Sequence, residues 1–274
     1  MTQKKILLLR GENTSLAQIS GRLSDSFRGV QVTPVSAEEL LQAGTLNDQV
    51  QALVLPGIVG DDSPYSTLLG ARGNQVIRDY VTGGGVFVGV CAGAYYACRE
   101  IRYDPPWLAH PKTSRPGLDF FNGLAAGPVG HAALKGDHSW YSDCTIVPVS
   151  FAGADGQAVV VGIAYGNGPV LKSFNAAAAD DAINVIAHYA DSDLPAVATR
   201  HIGAGLAVFM GVLPYIGHDR AMSGHVVPAL AEINNKLALH EPERQVLWDR
   251  IVSTIKTHNI NLGRATPYLI GKPR

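Results

Sequence analysis

Over its first ninety residues the chain alternates short apolar runs with segments of helical periodicity. Residues 5–9 and 50–57 form continuous apolar runs, which are typical of strands buried on both faces of a parallel sheet. Between them, Leu16, Ile19 and Leu23 repeat at helical spacing and predict an amphipathic helix. The joins between these segments are short, so the pattern predicts a three-layer, doubly wound α/β sheet that is mostly parallel.

The pattern changes after about residue 104. Up to about residue 180 the chain is rich in turn residues with short β-like runs, which predicts antiparallel excursions added to the sheet. Another buried strand follows at residues 205–215, and the chain is helical from about residue 225. One face of the last helix carries the apolar residues Leu247, Trp248, Ile251, Val252 and Ile255, so we expect the C-terminal helices to pack on a single domain covering residues 1–274.

Composition narrows the classes of partner. The 22 Lys and Arg residues nearly balance the 23 Asp and Glu residues, so a nucleic-acid or anionic-membrane partner is not expected. Three cysteines without metal-binding spacing predict neither a disulfide framework nor a metal site. No apolar run reaches the ~20 residues of a membrane span. We therefore expect a cytoplasmic protein without a cofactor, acting on a small molecule.

The stretch Gly-Val-Cys-Ala-Gly, residues 89–93, has the form of a nucleophile elbow. In such a turn the nucleophile lies between a buried strand and a helix, and the residues two before and two after it must be small. Cys91 holds the central position, and Gly89 and Gly93 are the small residues. The helix that follows would favour a thiolate and offer N–H groups to an oxyanion. A lone buried cysteine usually only packs, but this context favours a nucleophile.

Several stretches resemble the class I glutamine amidotransferase superfamily. The resemblance rests on "LPG", "DSPY" and "GNQVIRDYVTGGGVFVGVCAGAYYA", and continues in "RPGLDFFNGLAAGP", "ATRHIGAGLAVFMG" and "LWDRIVSTIKTHNINLG". More narrowly, the chain is similar to the amidotransferase-like N-terminal domain of some eukaryotic biotin–protein ligases and to its stand-alone bacterial relatives. The resemblance implies a flavodoxin-like fold. It does not imply biotin ligation, because the chain ends where the ligase catalytic domain would begin.

The resemblance also implies roles for individual residues. In the superfamily a thiolate attacks a carboxamide and releases ammonia through an acyl-enzyme. Cys91 corresponds to that nucleophile, the Ala92 N–H corresponds to one oxyanion donor, and Gly57 and Ile58 stand at the second donor. The family also carries an acidic residue and a Pro-Tyr pair on the loop that faces the nucleophile, which implies a pocket role for Asp62 and Tyr65. Ordinary turn chemistry is the alternative for these residues.

The proton relay departs from the superfamily pattern. Leu213 stands where the superfamily has histidine and Tyr215 where it has glutamate, and leucine cannot carry a proton. His218 is a tentative replacement base, although a surface loop histidine is the commoner fate of such a residue. His201 begins the preceding strand and is expected at the opposite end of the sheet from Cys91.

Further residues near the turn leave alternatives open. On the helix after Cys91, Tyr95 or Tyr96 could donate a hydrogen bond into the pocket, while a core aromatic is the commoner role. Cys98 lies two helical turns from Cys91, about 10 Å away, which is too far for a disulfide.

Two functional interpretations follow. The first is a cysteine-dependent amidase or amidotransferase-like hydrolase that acts on a small carboxamide or acyl compound with a non-standard base. The second is a catalytically inactive relative that uses the pocket for small-molecule binding, sensing or contact with a partner. A homo-oligomer or a synthase partner is left open, as is whether the protein is an active enzyme.

Overall fold

The computed structural model describes residues 3–11, 16–58, 63–129, 132, 145–174, 183–217 and 228–263. Within these residues the strands are β1 (Lys5–Leu9), β2 (Gln31–Val35), β3 (Val50–Leu55), β4 (Val86–Val90), β5 (Cys98–Tyr103), β6 (Lys112–Ser114), β7 (Phe121–Gly127), β8 (Thr145–Ala152), β9 (Ala158–Tyr165), β10 (Val170–Ser173), β11 (Asn184–Tyr189), β12 (Pro195–Ile202) and β13 (Gly205–Met210). The helices are α1 (Ala17–Ser26), α2 (Ala37–Leu40), α3 (Tyr65–Thr82), α4 (Ala92–Tyr96), α5 (Pro228–Leu239) and α6 (Glu241–Asn261).

In the described part of the chain, nine strands form the main sheet in the order β2-β1-β3-β4-β13-β12-β11-β8-β9. The pairs from β2 to β13 are parallel, and those from β13 to β9 are antiparallel. The predicted parallel sheet with added antiparallel strands is therefore confirmed. The antiparallel strand pairs of this sheet equal the parallel pairs in number, with four of each. A smaller sheet has the order β10-β7-β5-β6.

Helices cover both faces of the parallel half. The side chains of β1 alternate between two separate cores, with Ile6 and Leu8 in one and Leu7 and Leu9 in the other. The first core receives α1 and the apolar face of α6, whereas the second receives α3 and α4. This alternation is what a strand buried on both faces requires, and it confirms the three-layer architecture.

Two helices of the parallel half have distinctive local features. The helix α1 is preceded by Leu16 and has no side-chain cap. The helix α3 begins at Tyr65 and is broken at Gly70, whose φ is 56°. Glycine adopts this conformation readily, which allows one helix to continue past the break.

The helix α6 contacts the chain segment that follows β13 through a buried arginine. Arg244 is almost fully buried, forms an ion pair with Glu241 and donates a hydrogen bond from Nη1 to the Ile216 carbonyl at 2.6 Å. The predicted stripe of Leu247, Trp248, Ile251, Val252 and Ile255 is buried in the core. The C-terminal helix therefore packs as expected, while the assignment of residues 1–274 to one domain stays a prediction.

Candidate functional site

Cys91 lies between β4 and α4, as the glycine pattern predicts. Its backbone is in the left-handed half of conformational space, with φ 48° and ψ −106°, where a side chain with a Cβ is strained. Neighbouring backbone approaches so closely that both flanking glycines are needed. A Cβ on Gly89 would lie 2.5 Å from the Gly93 carbonyl oxygen, and a Cβ on Gly93 would lie 2.0 Å from the Leu55 carbonyl oxygen.

The sheet places this turn at its carboxyl edge. The strand β4 lies between β3 and β13, both parallel to it, and the Cys91 N–H donates to the Met210 carbonyl at 2.8 Å. Open α/β sheets bind ligands at the carboxyl ends of their strands. His201 pairs with Leu206 at the start of β13 and is therefore at the opposite edge, as expected.

The thiol of Cys91 is buried and hydrogen-bonded. Only 8% of the residue is exposed, and the S–H group donates to the Gly166 carbonyl oxygen at 3.1 Å. Burial raises the pKa of Cys91 to about 12, and the hydrogen bond from the Ala92 N–H opposes this only in part. The expected lowering of the pKa by the helix is therefore wrong, because α4 has only five residues and desolvation dominates.

Two of the three residues expected to supply oxyanion donors lie next to Cys91. The Ala92 N–H points to the sulfur of Cys91. A Cβ built on Gly57 would lie 3.4 Å from the Cβ of Cys91 and 4.0 Å from its Sγ, so the end of β3 also approaches the thiol closely. Ile58 is partly buried and packs against the core on the α3 face.

Four buried tyrosines interact electrostatically with the thiol: Tyr65, Tyr95, Tyr165 and Tyr189. Burial is the largest influence on all four, and it raises the pKa of each phenol. These side chains therefore stay protonated and act as hydrogen-bond donors at neutral pH.

Two of these tyrosines were expected in the pocket. The Tyr65 hydroxyl donates to the Pro56 carbonyl at 2.5 Å, and the Tyr95 hydroxyl donates to the Asn167 carbonyl at 3.0 Å. Tyr96, in contrast, donates to Asn74 Oδ1 at 2.8 Å, away from the thiol. Of the two, Tyr95 therefore lies next to the thiol, while its role in a ligand pocket stays a prediction.

The other two tyrosines were missed from the sequence. Tyr165 and Tyr189 are the last residues of β9 and β11, and their hydroxyls donate to the carbonyls of Gly168 and Pro169 at 2.8 and 3.1 Å. In the sequence, the position of each tyrosine at the end of a strand is the one signal of a place in the site. This signal is insufficient, because the sequence does not reveal which edge of the sheet each strand end reaches.

The residues at the superfamily relay positions, Leu213 and Tyr215, are buried, and their predicted place in the pocket stays a prediction. Leu213 is 3% exposed, and its backbone N–H donates to the Ala164 carbonyl at 2.8 Å. Tyr215 is fully buried, with its ring centroid 6.4 Å from that of Trp248 on α6. The proposed base His218 and the loop residue Asp62 lie outside the described residues, as does Cys144.

Three further findings concern the described residues as a whole. Cys91 and Cys98 are both free and buried. Across the described ranges, no three His, Cys, Asp or Glu side chains are grouped so that they could hold a metal ion. Over the same residues, every helix is too short or too polar to cross a membrane.

Sequence comparisons with known proteins identify a matching family and similar proteins from two organisms. A family model described as "Biotin-protein ligase, N terminal" matches residues 11–264. An uncharacterized protein of Chlamydia muridarum is 29% identical over 237 residues, which are 84% of this chain and 86% of that protein. A biotin–protein ligase of Schizosaccharomyces pombe is 26% identical over 192 residues, which are 67% of this chain but only 29% of the ligase.

The fold comparison agrees with the sequence comparison. A solved structure of PurLQS from Thermotoga maritima superposes with a TM-score of 0.51 and 13% identity, covering 88% of this chain and 98% of that chain. At this identity the likeness shows the fold alone. It confirms the expected flavodoxin-like architecture, and the family match confirms the resemblance inferred from the sequence.

Proposed function

The chain belongs to the biotin-protein ligase N-terminal family, and from this premise we propose that it is an amidotransferase-like module that binds a small carboxamide or acyl compound without hydrolysing it. The single observation that carries the proposal is the hydrogen bond from the Cys91 thiol to the Gly166 carbonyl. A thiol that donates this bond is protonated, whereas nucleophilic attack requires the thiolate.

Electrostatics around the sulfur support the same conclusion. A deprotonated Cys91 would face the partial negative charge of the Gly166 carbonyl oxygen at about the 3.1 Å hydrogen-bonding distance. Burial keeps its pKa near 12, and the described residues supply the Ala92 N–H as the opposing influence. Leu213 and Tyr215 occupy the relay positions without supplying an imidazole or a carboxylate. Loss of the orienting acid alone costs about 10⁴ in rate in a related triad.

A second candidate is the cysteine-dependent hydrolase. Two observations favour it: the backbone of Cys91 is strained, and the Ala92 N–H lies at its sulfur. Such strain costs of order 1–3 kcal/mol and is concentrated at functional sites. In this version His218 would act as a displaced base, and Cys91 would form an acyl-enzyme with the carbonyl carbon while the amine leaves as ammonia.

Ammonia release from glutamine distinguishes the two candidates. The wild type, Cys91→Ala and His218→Ala are each incubated at high protein concentration with glutamine, and ammonia is measured against a protein-free blank. All three are expected to match the blank, because the Cys91 thiol stays protonated and Leu213 and Tyr215 supply no imidazole or carboxylate at the relay positions. Turnover by the wild type that both substitutions abolish would establish the hydrolase instead and identify His218 as its base.

A further inference from the structure

Four consecutive carbonyl groups next to Cys91 each accept a hydrogen bond from a side chain. They belong to the thiol-facing segment, residues 166–169, which joins β9 to β10. The donors, in order along the segment, are the Cys91 thiol, Tyr95, Tyr165 and Tyr189, at 3.1, 3.0, 2.8 and 3.1 Å. Cys91 and Tyr95 belong to α4 and the residue that precedes it, Tyr165 ends β9, and Tyr189 ends β11. Three of the four bonds therefore come from residues distant in the chain, and the Tyr165 bond is local to the segment.

The backbone around the segment leaves little room. A Cβ on Gly168 would lie 2.0 Å from the Gly211 carbonyl oxygen, and a Cβ on Gly211 would lie 2.1 Å from the Pro169 carbonyl oxygen. A Cβ on Gly127 would in turn lie 2.1 Å from the Tyr95 hydroxyl. Glycine at these positions lets the segment approach both β7 and the residue after β13 closely, so its carbonyl groups reach the thiol and the three phenols.

We propose that Tyr95 and Tyr189 are positioning residues for the Cys91 site, which keep the thiol covered and protonated by holding the thiol-facing segment against it. Tyr95 lies four residues after Cys91 on α4 and binds the carbonyl next to the one that the thiol binds. Tyr189 holds the far end of the segment through Pro169. A ligand that takes the place of the Gly166 carbonyl at the sulfur must therefore move the segment against these bonds.

This inference deepens the proposed function and rests on it, because it explains what keeps the Cys91 thiol covered and protonated in a site that binds without hydrolysing. A ligand at the sulfur would meet the carbonyl acceptors of the thiol-facing segment and the Ala92 N–H donor. To take over the hydrogen bond that the thiol gives to Gly166, the ligand has to donate a hydrogen bond of its own.

The test compares Tyr95→Phe with Tyr96→Phe, two adjacent buried tyrosines on the same helix. The Tyr96 hydroxyl binds Asn74 and not the segment, so its loss is the matched control. Each full-length variant is labelled with limiting iodoacetamide, and Cys91 and Cys98 are quantified by peptide mapping. Loss of one hydrogen bond from the segment is expected to raise Cys91 labelling about fivefold. Cys98 labelling and the thermal unfolding midpoint show whether a substitution destabilises the whole fold rather than the segment alone.

Tyr189→Phe is the second variant, should Tyr95→Phe fail to fold, and the same increase is expected. The pH above which Cys91 labelling levels off should also be lower in both variants than in the wild type, because water reaching the sulfur lowers its pKa. Unchanged Cys91 labelling in both, or an equal increase for Tyr96→Phe or at Cys98, would overturn the inference. The ammonia assay is independent of these outcomes, so failure of the positioning role and failure of the proposed function are distinguished.

Discussion

Iodoacetamide is expected to alkylate Cys91 of the folded protein at about pH 8 roughly 100-fold more slowly than an exposed cysteine in a peptide. Burial raises the pKa of Cys91 to about 12. From an ordinary value near 8.5, this lowers the thiolate fraction at that pH by about 10³. A thiolate of high pKa is intrinsically more nucleophilic by roughly 30-fold, which offsets only part of the loss. Limited access to the buried sulfur slows the reaction further.

The pH dependence of the alkylation follows from the direction of this shift. Because the folded-state pKa is raised, the protonated thiol stabilises the folded protein fully below the unfolded pKa, about 8.5. That contribution is lost as the pH rises from there towards 12. The labelling rate should therefore rise about tenfold per pH unit without levelling off below about pH 10. Circular dichroism at each pH verifies that the protein stays folded.

Cys98 provides the internal comparison for this measurement. It is fully buried, and burial alone raises the pKa of its thiol, whereas Cys91 has the opposing Ala92 N–H. Cys91 is therefore expected to react faster than Cys98, although both react slowly. A Cys91 rate above that of the peptide, or a plateau below about pH 8, would show that the site activates the thiol.

Replacing Gly93 with alanine is expected to destabilise the fold by at least about 3 kcal/mol, at the upper end of the cost of overpacking a core. The new Cβ would lie 2.0 Å from the Leu55 carbonyl oxygen and 2.8 Å from the Leu55 carbonyl carbon. Both are backbone atoms of a strand paired on each side, so they cannot move away independently. Urea unfolding followed by circular dichroism measures the change in free energy of unfolding.

Gly156→Ala is the matched control for that substitution. Gly156 has φ 82° and no atom within 4 Å of its added Cβ, so alanine there meets backbone strain but no contact. The expected cost is about 1–2 kcal/mol. If Gly93→Ala proved no more destabilising than Gly156→Ala, the close approach of α4 to β3 would not be the reason for the glycine.

The parallel half of the fold could be predicted because its evidence is local. The runs at residues 5–9 and 50–55 are buried on both faces, so their composition alone predicts buried strands. Gly89 and Gly93 likewise predict the turn at Cys91, since a close backbone approach excludes any larger residue. In each case one short stretch of sequence contains the whole physical reason.

The state of the thiol could not be predicted in this way. The sequence shows that a helix follows Cys91 and so suggests a lowered pKa, but the opposing burial depends on residues distant in the chain. Gly166 lies 75 residues from Cys91, and Tyr189 reaches the thiol-facing segment from a strand in the antiparallel part of the sheet. Periodicity does not reveal the order of antiparallel strands, so neither contact has a local signal.

The protonation state of Cys91 can be followed directly by carbon-13 NMR of the protein labelled at the cysteine Cβ, with Cys91→Ser used to assign the resonance. The Cβ of Cys91 is expected to keep its thiol chemical shift from about pH 6 to about pH 10, since burial and the Gly166 hydrogen bond hold its pKa near 12. A titration midpoint below about pH 8, or a thiolate shift at neutral pH, would contradict the account and restore Cys91 as a nucleophile.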